Sequence, residues 1–205
     1  VNYRTESAKV IANSYMLQCG TPFIYQGQEI GMVNIDLPEV EDYQDVFAVN
    51  NYKTLRLFGF SDEKAKVRLK NSSRGNARTP MQWDDSENAG FTTGDTTWIG
   101  VNPNYTEINV AQQETDPDSV LNFYRKAIAL RKSLPVVKDG KYRDHFFMSG
   151  KRYVYSRDNG KQKLLVMCSF SKKEIPVKVP AGFDLSKAKL VLQSYENAGN
   201  TLQPY

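Results

Sequence analysis

The segment TPFIYQGQE, residues 21–29, is the clearest indication of the fold. Residues 23–25 are apolar on both alternating sides, a pattern typical of a short strand buried on both faces. Upstream, Thr5 and Glu6 begin an apolar pattern that predicts a helix of about four turns, and Gly20 is suited to close its C-terminal end. A helix, a tight turn and a buried strand make half of an α/β repeat. Such a strand needs parallel neighbours, and the rest of the sequence offers none.

Composition indicates a globular protein with mixed surface charge. The chain has 205 residues, of which 40% are hydrophobic, enough for one large domain or two small ones. The net charge is +4, but basic and acidic residues are mixed along the sequence. Because no segment is a basic stripe with interleaved aromatic residues, we expect no nucleic-acid partner. No apolar run approaches the roughly 20 residues that span a bilayer, so no membrane partner is predicted.

The cysteines and the single histidine indicate neither a disulfide scaffold nor a metal site. Cys19 and Cys168 fall in a predicted helix and a predicted strand, both in apolar surroundings. We therefore expect two buried thiols in a reducing compartment, which predicts a cytoplasmic location. His145 lies in an apolar, strand-like segment, and a structural role is predicted for it. No cofactor and no metal are predicted.

The middle of the chain, residues 33–134, is polar and irregular. Helices are predicted at residues 42–58 and 61–70, and a third over residues 118–134. The start of the third is well marked, because Pro117 suits a first helical turn and the aspartates beside it suit the positive end of the helix dipole. Long irregular segments are uncommon in compact domains unless they carry function.

From residue 136 the pattern changes to alternating segments at residues 141–148, 152–157, 164–170, 174–179 and 189–193, separated by glycine-containing turns. This alternation predicts an antiparallel β unit built from hairpins. The sequence Asp158-Asn159-Gly160 is the clearest hairpin turn in the chain.

The segment RGNARTPMQWD, residues 74–84, is the strongest candidate for a binding site. Arg74 and Arg78 lie four residues apart beside an amide and an indole, so they could present planar donors and an aromatic face to a hydroxyl-rich ligand. The same arginines could instead form surface ion pairs with Asp85 and Glu87. The residues alone favour the ion pairs, which are the commoner arrangement.

Four segments together resemble a known family: TPFIYQGQEIGM (residues 21–32), NARTPMQWD (76–84), AGFTTG (89–94) and VNPNYTEINV (101–110). They resemble the C-terminal part of oligo-1,6-glucosidases and related α-glucosidases of the α-amylase superfamily, glycoside hydrolase family 13. The resemblance extends over nearly the whole chain, in order and with matching spacing.

The resemblance implies an α+β chain in which the end of a (β/α)8 barrel is followed by an antiparallel β-sandwich. Residues 1–135 would supply the helix before the eighth strand, the eighth strand itself at residues 23–25, an insertion and the eighth helix. Residues 136–205 would form the C-terminal sandwich, lacking its last strand. Gln26 and Glu29 would then follow the strand at the face where such barrels keep their active sites, as pocket-rim or supporting residues.

The resemblance also implies where catalysis resides. Family members hydrolyse α-glucosidic bonds with retention, using an aspartate nucleophile, a glutamate acid/base and a second aspartate. These residues come from the fourth, fifth and seventh barrel strands, which would precede Val1. We therefore assign no catalytic residue and predict that the isolated chain has no glycosidase activity. Its surface, which would pack on the barrel, is expected to promote self-association.

An α-linked gluco-oligosaccharide is the partner that the resemblance implies for the complete enzyme. Arg74 would reach the non-reducing glucose at the cleavage site, and Arg78 would support the same pocket or the next sugar. Trp83 is predicted to pack beneath this loop. Two departures leave linkage preference open: Gly75 replaces a usual aspartate, and Phe47 replaces a glutamate near the outgoing sugar.

Two other function classes remain as alternatives. Small β domains often bind sugars, so the chain could be a carbohydrate-binding module. However, the aromatic residues of the β unit alternate as core residues do and form no evident platform. The chain could also be a non-catalytic, amylase-like interaction subunit, although its retained arginine motif favours the glucosidase interpretation.

Overall fold

The computed structural model describes residues 3–146, 148–195 and 201–205. The chain divides into two compact units. The first unit comprises the described residues up to Ile24 together with those from Pro117 onward, and the second comprises Tyr25–Asp116.

Helices dominate the described residues, and the strands are confined to the C-terminal part. The α-helices are α1 Arg4–Met16, α2 Val46–Leu57, α3 Asp62–Ser72, α4 Val110–Thr115, α5 Val120–Ser133 and α6 Pro135–Asp139. Short 3-10 helices occur at Gln28–Ile30, Glu41–Tyr43, Arg74–Arg78, Glu87–Gly90, Pro103–Thr106 and Leu185–Lys187. The strands are β1 Lys141–Asp144, β2 Arg152–Asp158, β3 Lys163–Ser169, β4 Ile175–Pro176 and β5 Thr201–Leu202.

The core of the first unit lies between α1, α5 and the three-stranded sheet. One face of α5 buries Val120, Phe123, Tyr124 and Ala127 against Ala12 and Met16 of α1. A second cluster joins Val10 and Leu17 to α6 and to the inward residues of β2 and β3. The helix predicted at residues 118–134 is confirmed. Its start is set by Ser119, whose side chain accepts a hydrogen bond from the Asn122 N–H at 3.1 Å.

The β unit is antiparallel, as predicted. Strands β1, β2 and β3 pair in that order, and β4 pairs with β5 in a second sheet. The β2–β3 hairpin turns where the sequence predicted, with Gly160 at φ +82°, a left-handed conformation that glycine adopts without steric cost. The strand predicted at residues 189–193 is wrong: those residues have no regular secondary structure and belong to neither described sheet. Of the strand predicted at residues 174–179, only the two-residue β4 is formed.

The buried strand predicted at residues 23–25 is also wrong for this chain. These residues have no regular secondary structure, and no described strand pairs with them. Phe23 is 86% exposed, and Ile24 and Tyr25 are exposed too. The physical reason is that a strand exists through its hydrogen-bonded neighbours, and the apolar pattern of these residues has no partner in the described part of the chain.

The second unit contains two helices that pack on each other, α2 and α3, which the sequence predicted at residues 42–58 and 61–70. The first prediction joined two elements that the structure separates. The 3-10 helix Glu41–Tyr43 ends at Gln44, which is left-handed at φ +48°, and α2 begins anew after Asp45. Ile35, Val40, Tyr43, Ala48 and Leu69 form the core of this unit.

The cysteine prediction is half right. Cys168 is buried in β3 and burial raises the pKa of its thiol to about 12. Cys19 is exposed, because α1 ends at Met16 and leaves it in the bend before Gly20. His145 binds the Ser156 hydroxyl through Nε2 at 2.8 Å. Among the described residues, no group of three potential ligands could hold a metal ion, and no helix is long and apolar enough to cross a membrane.

Candidate functional site

Arg74 is held by the buried carboxylate of Asp45, 29 residues earlier in the chain. Arg74 Nη2 donates to Asp45 Oδ1 at 2.8 Å, and Arg74 Nε donates to Oδ2 at 3.4 Å. The backbone N–H of Arg74 donates to the same Oδ2 at 2.8 Å. The Asp45 side chain is 0% exposed and that of Arg74 is 63% exposed. One end of the pair is therefore fixed inside the unit while the guanidinium faces outward.

Asp45 also begins helix α2. Its Oδ1 accepts the Phe47 N–H at 3.2 Å, which is the N-cap arrangement for which aspartate is well suited. The hydrogen bonds from Arg74 outweigh the effect of burial and hold the Asp45 pKa well below its usual range. Because the pKa is lowered, the ionised carboxylate stabilises the fold at neutral pH. This contribution is lost only as the pH falls through the lowered pKa.

Phe47 covers the guanidinium of Arg74. The Arg74 Cζ lies 5.9 Å from the centre of the Phe47 ring, within the range of a cation–π contact. The ring is 69% exposed. An exposed ring and an exposed guanidinium thus share one surface at the start of α2.

Arg78 is part of a second contact of the same kind. Its Cζ lies 5.8 Å from the centre of the Trp98 ring, which is 68% exposed. Arg78 Nη1 also donates to the Gln44 carbonyl, at a long 3.5 Å. Neither Asp85 nor Glu87 forms an ion pair with Arg74 or Arg78 in the described residues, so the surface ion pairs considered from the sequence are not what holds these arginines.

Gly75 sits where the arginine segment crosses the end of the preceding 3-10 helix. A Cβ placed on it would lie 2.3 Å from the Tyr43 carbonyl oxygen. Gly75 is buried, and its N–H donates to Ser73 Oγ at 3.0 Å. The glycine therefore makes a close backbone contact possible, and the turn is tight.

The loop at residues 25–29 touches the arginine segment through Tyr25. The Tyr25 hydroxyl donates to the Ala77 carbonyl at 2.9 Å. Gln26 is exposed and Glu29 is half-buried. Glu29 Oε2 is buried and has no hydrogen-bond partner in the described part of the chain. No described contact joins Gln26 or Glu29 to either arginine, so their predicted role as pocket-rim or supporting residues stays a prediction.

The residues after the arginines are anchored by their backbone. The Trp83 N–H donates to the Ala89 carbonyl at 2.9 Å, and the Trp83 carbonyl accepts the Ala111 N–H at 2.9 Å. The indole itself is half-exposed. Gln82 is the buried side chain of this segment, and its amide donates to Asn104 Oδ1 at 3.0 Å. Packing by Trp83 stays a prediction.

Sequence reasoning missed Asp45 and Trp98. Asp45 was not among the predicted site residues, although an aspartate before an apolar helical run is a recognisable N-cap signal. Trp98 lies 20 residues after Arg78 within a Gly/Thr-rich run that shows no periodicity. Nothing local indicates that its ring lies beside a guanidinium.

The arrangement suits a neutral ligand that has many hydroxyl groups. Arg74 and Arg78 offer planar forks of N–H donors, and Phe47 and Trp98 offer apolar faces. The carboxylate of Asp45 is fully engaged and ionised, so it is not available as an acid or a nucleophile. The surface can therefore bind and orient such a ligand.

Comparisons with known proteins agree with one another. The family model "Alpha amylase, catalytic domain" matches residues 1–140. The oligo-1,6-glucosidase of Parageobacillus thermoglucosidasius is 43% identical over 197 residues, which are 95% of this chain and 34% of the relative. The solved trehalose-6-phosphate hydrolase of Bacillus licheniformis is 37% identical with a TM-score of 0.92, covering 100% of this chain and 38% of that one.

A third relative, the isomaltulose synthase of Klebsiella sp. LX3, is 34% identical with a TM-score of 0.89. It covers 98% of this chain, and this chain covers 37% of it. The chain therefore spans little more than a third of the length of these relatives. Because the family model matches residues 1–140 and the relatives match nearly the whole chain, the chain belongs to the α-amylase family of glycoside hydrolases, family 13.

Proposed function

We propose that this chain supplies one wall of the substrate pocket of a retaining α-glucosidase that acts on short α-linked gluco-oligosaccharides. The observation that carries the proposal is the exposed guanidinium of Arg74, held from below by buried Asp45 and covered by the ring of Phe47. In this proposal Arg74 binds hydroxyl groups of the glucose at the cleavage site, and Arg78 with Trp98 contacts the same sugar or the next.

The chemistry of this surface supports binding more than bond cleavage. A guanidinium fixes hydroxyl groups through several N–H donors, and orienting the scissile bond lowers the barrier because misplacement is costly in rate. The nucleophile and the acid/base belong, in this proposal, to barrel strands outside residues 1–205. The oligo-1,6-glucosidase relatives support the proposed substrate class, while the ring of Phe47 leaves the linkage open.

The domain assignment is also part of the proposal. Residues 1–135 would be the end of a (β/α)8 barrel and residues 136–205 the C-terminal β-sandwich. The two antiparallel sheets of the β unit and the TM-score of 0.92 to a complete relative support this assignment. Two free cysteines support a reducing, cytoplasmic location.

Removing the guanidinium groups tests the binding role. In the full-length enzyme that contains this chain, Arg74→Ala should lower kcat/KM for p-nitrophenyl α-glucoside and for isomaltose by about 100- to 1,000-fold, since it deletes a preorganised donor. Arg78→Ala should lower it by about 10- to 100-fold, because its contacts are looser. Steady-state kinetics on purified variants measures both effects.

Arg68→Ala is the matched control. Arg68 lies in the same unit, with its Cζ 5.7 Å from the centre of the Phe60 ring, so it also forms an arginine–ring contact. Among the described residues, no carboxylate forms an ion pair with it. It should leave kcat/KM within about twofold, as expected for a surface change. Equal losses for Arg68→Ala and Arg74→Ala would contradict the pocket assignment.

The 205-residue chain alone should show no hydrolysis of p-nitrophenyl α-glucoside, because the proposed catalytic carboxylates lie outside it.

The 205-residue chain should also self-associate, since Phe23 is 86% exposed beside other apolar residues of the same segment. Sedimentation equilibrium between about 5 and 100 μM measures the association, which weakens as an interface of this kind is diluted. A strict monomer over that range, or measurable turnover, would overturn the corresponding statement.

A further inference from the structure

We propose that Asp45 is a positioning residue: its carboxylate sets the direction in which Arg74 presents its free N–H groups to the sugar. This inference rests on the proposed function, since it concerns the same pocket, and it adds a residue that the motif did not indicate. Asp45 itself touches no substrate in this proposal, because its side chain is fully buried.

The first argument is how completely one carboxylate determines the conformation of Arg74. Asp45 Oδ2 accepts from the Arg74 backbone N–H at 2.8 Å and from Nε at 3.4 Å, and Oδ1 accepts from Nη2 at 2.8 Å. The side chain is thus tied at its root and at its tip. An arginine that is 63% exposed would otherwise sample many rotamers, and here its planar fork is preorganised.

The second argument is which donors remain. Arginine carries five N–H donors in a fixed planar arrangement. Asp45 engages Nε and Nη2, the side of the guanidinium nearest the helix. Nη1 has no hydrogen bond in the described part of the chain. The remaining N–H groups therefore point away from Asp45, along the exposed edge of the fork.

The third argument is that the same carboxylate also holds the backbone of the residue whose ring lies beside the guanidinium. Phe47 donates its backbone N–H to Asp45 Oδ1 at 3.2 Å, and its ring centre lies 5.9 Å from Arg74 Cζ. The guanidinium and the backbone that carries the ring are consequently held by the same two oxygen atoms. A ligand that contacts an apolar face and a donor edge together would meet both in a fixed relation.

An alternative role for Asp45 is that of a helix cap alone, and Asp45→Asn separates the two. Asparagine is as good an N-cap as aspartate, so α2 should keep its start. The amide, however, carries no charge and replaces one of the two acceptor oxygens by an NH2 donor, so it cannot reproduce the two-oxygen pairing with Nε and Nη2. In the full-length enzyme that contains this chain, Asp45→Asn should lower kcat/KM by about 10- to 100-fold. The helix content measured by circular dichroism should stay unchanged.

Coupling to Arg74 is the sharper test. Arg74→Lys keeps the charge and removes the fork, so Asp45→Asn should cost about tenfold or more in kcat/KM in the parent and less than about twofold in the Arg74→Lys background. The control is Ser61→Ala, which removes the 3.4 Å N-cap contact of α3 without touching Arg74. It should leave kcat/KM unchanged.

The possible results separate the inference from the proposed function. If Arg74→Ala lowers kcat/KM while Asp45→Asn does not, Asp45 is only a cap and the inference fails alone. If Arg74→Ala has no effect, the proposed function itself fails. Equal costs of Asp45→Asn in both backgrounds would mean that it does not act through Arg74, which also overturns the inference.

A measurement on the 205-residue chain does not depend on activity. In 15N NMR spectra, the Arg74 Nε–H should exchange slowly with water in the parent, because Asp45 accepts it. It should exchange at least about tenfold faster in Asp45→Asn and in Asp45→Ser, a second variant that keeps a good cap. A rapidly exchanging Nε–H in the parent would overturn the inference.

Discussion

Replacing Gly75 by aspartate should lower the free energy of unfolding of the second unit by at least about 3 kcal/mol. Aspartate is the residue that the family resemblance associates with this position, so the result runs against what the family pattern alone would suggest. The reason is local: any Cβ on residue 75 would lie 2.3 Å from the Tyr43 carbonyl oxygen. Backbone must move to relieve this contact, and the new carboxylate would be placed where Gly75 is now buried.

Thermal unfolding followed by circular dichroism measures the effect, with an expected fall in the midpoint of roughly 6–12 °C for a chain of this size. Gly75→Ala isolates the steric part and should give most of the loss. The matched control is Gly94→Ala in the same unit. Its Cβ would meet only the Thr92 hydroxyl at 3.4 Å, an ordinary contact, so the midpoint should hardly change. An aspartate variant at least as stable as the parent would show that the turn is looser than described.

The sequence predicted best those elements whose signals are local. Ser61 and Ser119 begin α3 and α5 because their side chains accept backbone N–H groups three residues on, and both helices lie within about two residues of prediction. The β2–β3 hairpin was likewise predicted from Asp158-Asn159-Gly160, whose glycine takes the required left-handed conformation. In each case the sequence that specifies the structure lies within a few residues of it.

Elements that depend on distant residues could not be predicted. The apolar pattern of residues 23–25 is correct for a buried strand, but burial requires neighbouring strands, and pattern alone does not supply them. Asp45 and Arg74 meet across 29 residues because α2 and α3 bring them together. The motif around Arg74 indicated a pocket through family resemblance, yet the residue that orients Arg74 lies outside that motif.

Arg131 is the clearest case of a distant partner, and Arg131→Ala should strongly destabilise the first unit. Arg131 Nη1 donates to the carbonyl oxygens of Met16 and Gln18, each at 2.6 Å, and Nη2 donates to that of Gly20. A helix leaves its last carbonyl groups without intrahelical partners, and a cation at this end also favours the helix dipole. Loss of these charge-assisted bonds should lower the free energy of unfolding by about 2–4 kcal/mol.

Urea unfolding, followed by circular dichroism at 222 nm, measures this loss. An unchanged m-value, the slope of the unfolding free energy against urea concentration, indicates that only stability has changed. Arg131→Lys should recover part of it, because an ammonium keeps the charge at the end of α1 but lacks a fork that reaches three carbonyl groups. Lys132→Ala is the control: this neighbouring cation also lies in the last turn of α5, yet donates to none of the carbonyl groups of Met16, Gln18 and Gly20. If Lys132→Ala and Arg131→Ala cost the same, the contribution is the charge at the helix end and not the closure of α1. If only Arg131→Ala lowers the free energy of unfolding, one side chain more than 110 residues away holds the end of α1. The path of the chain from α1 toward Ile24 then depends on the same side chain.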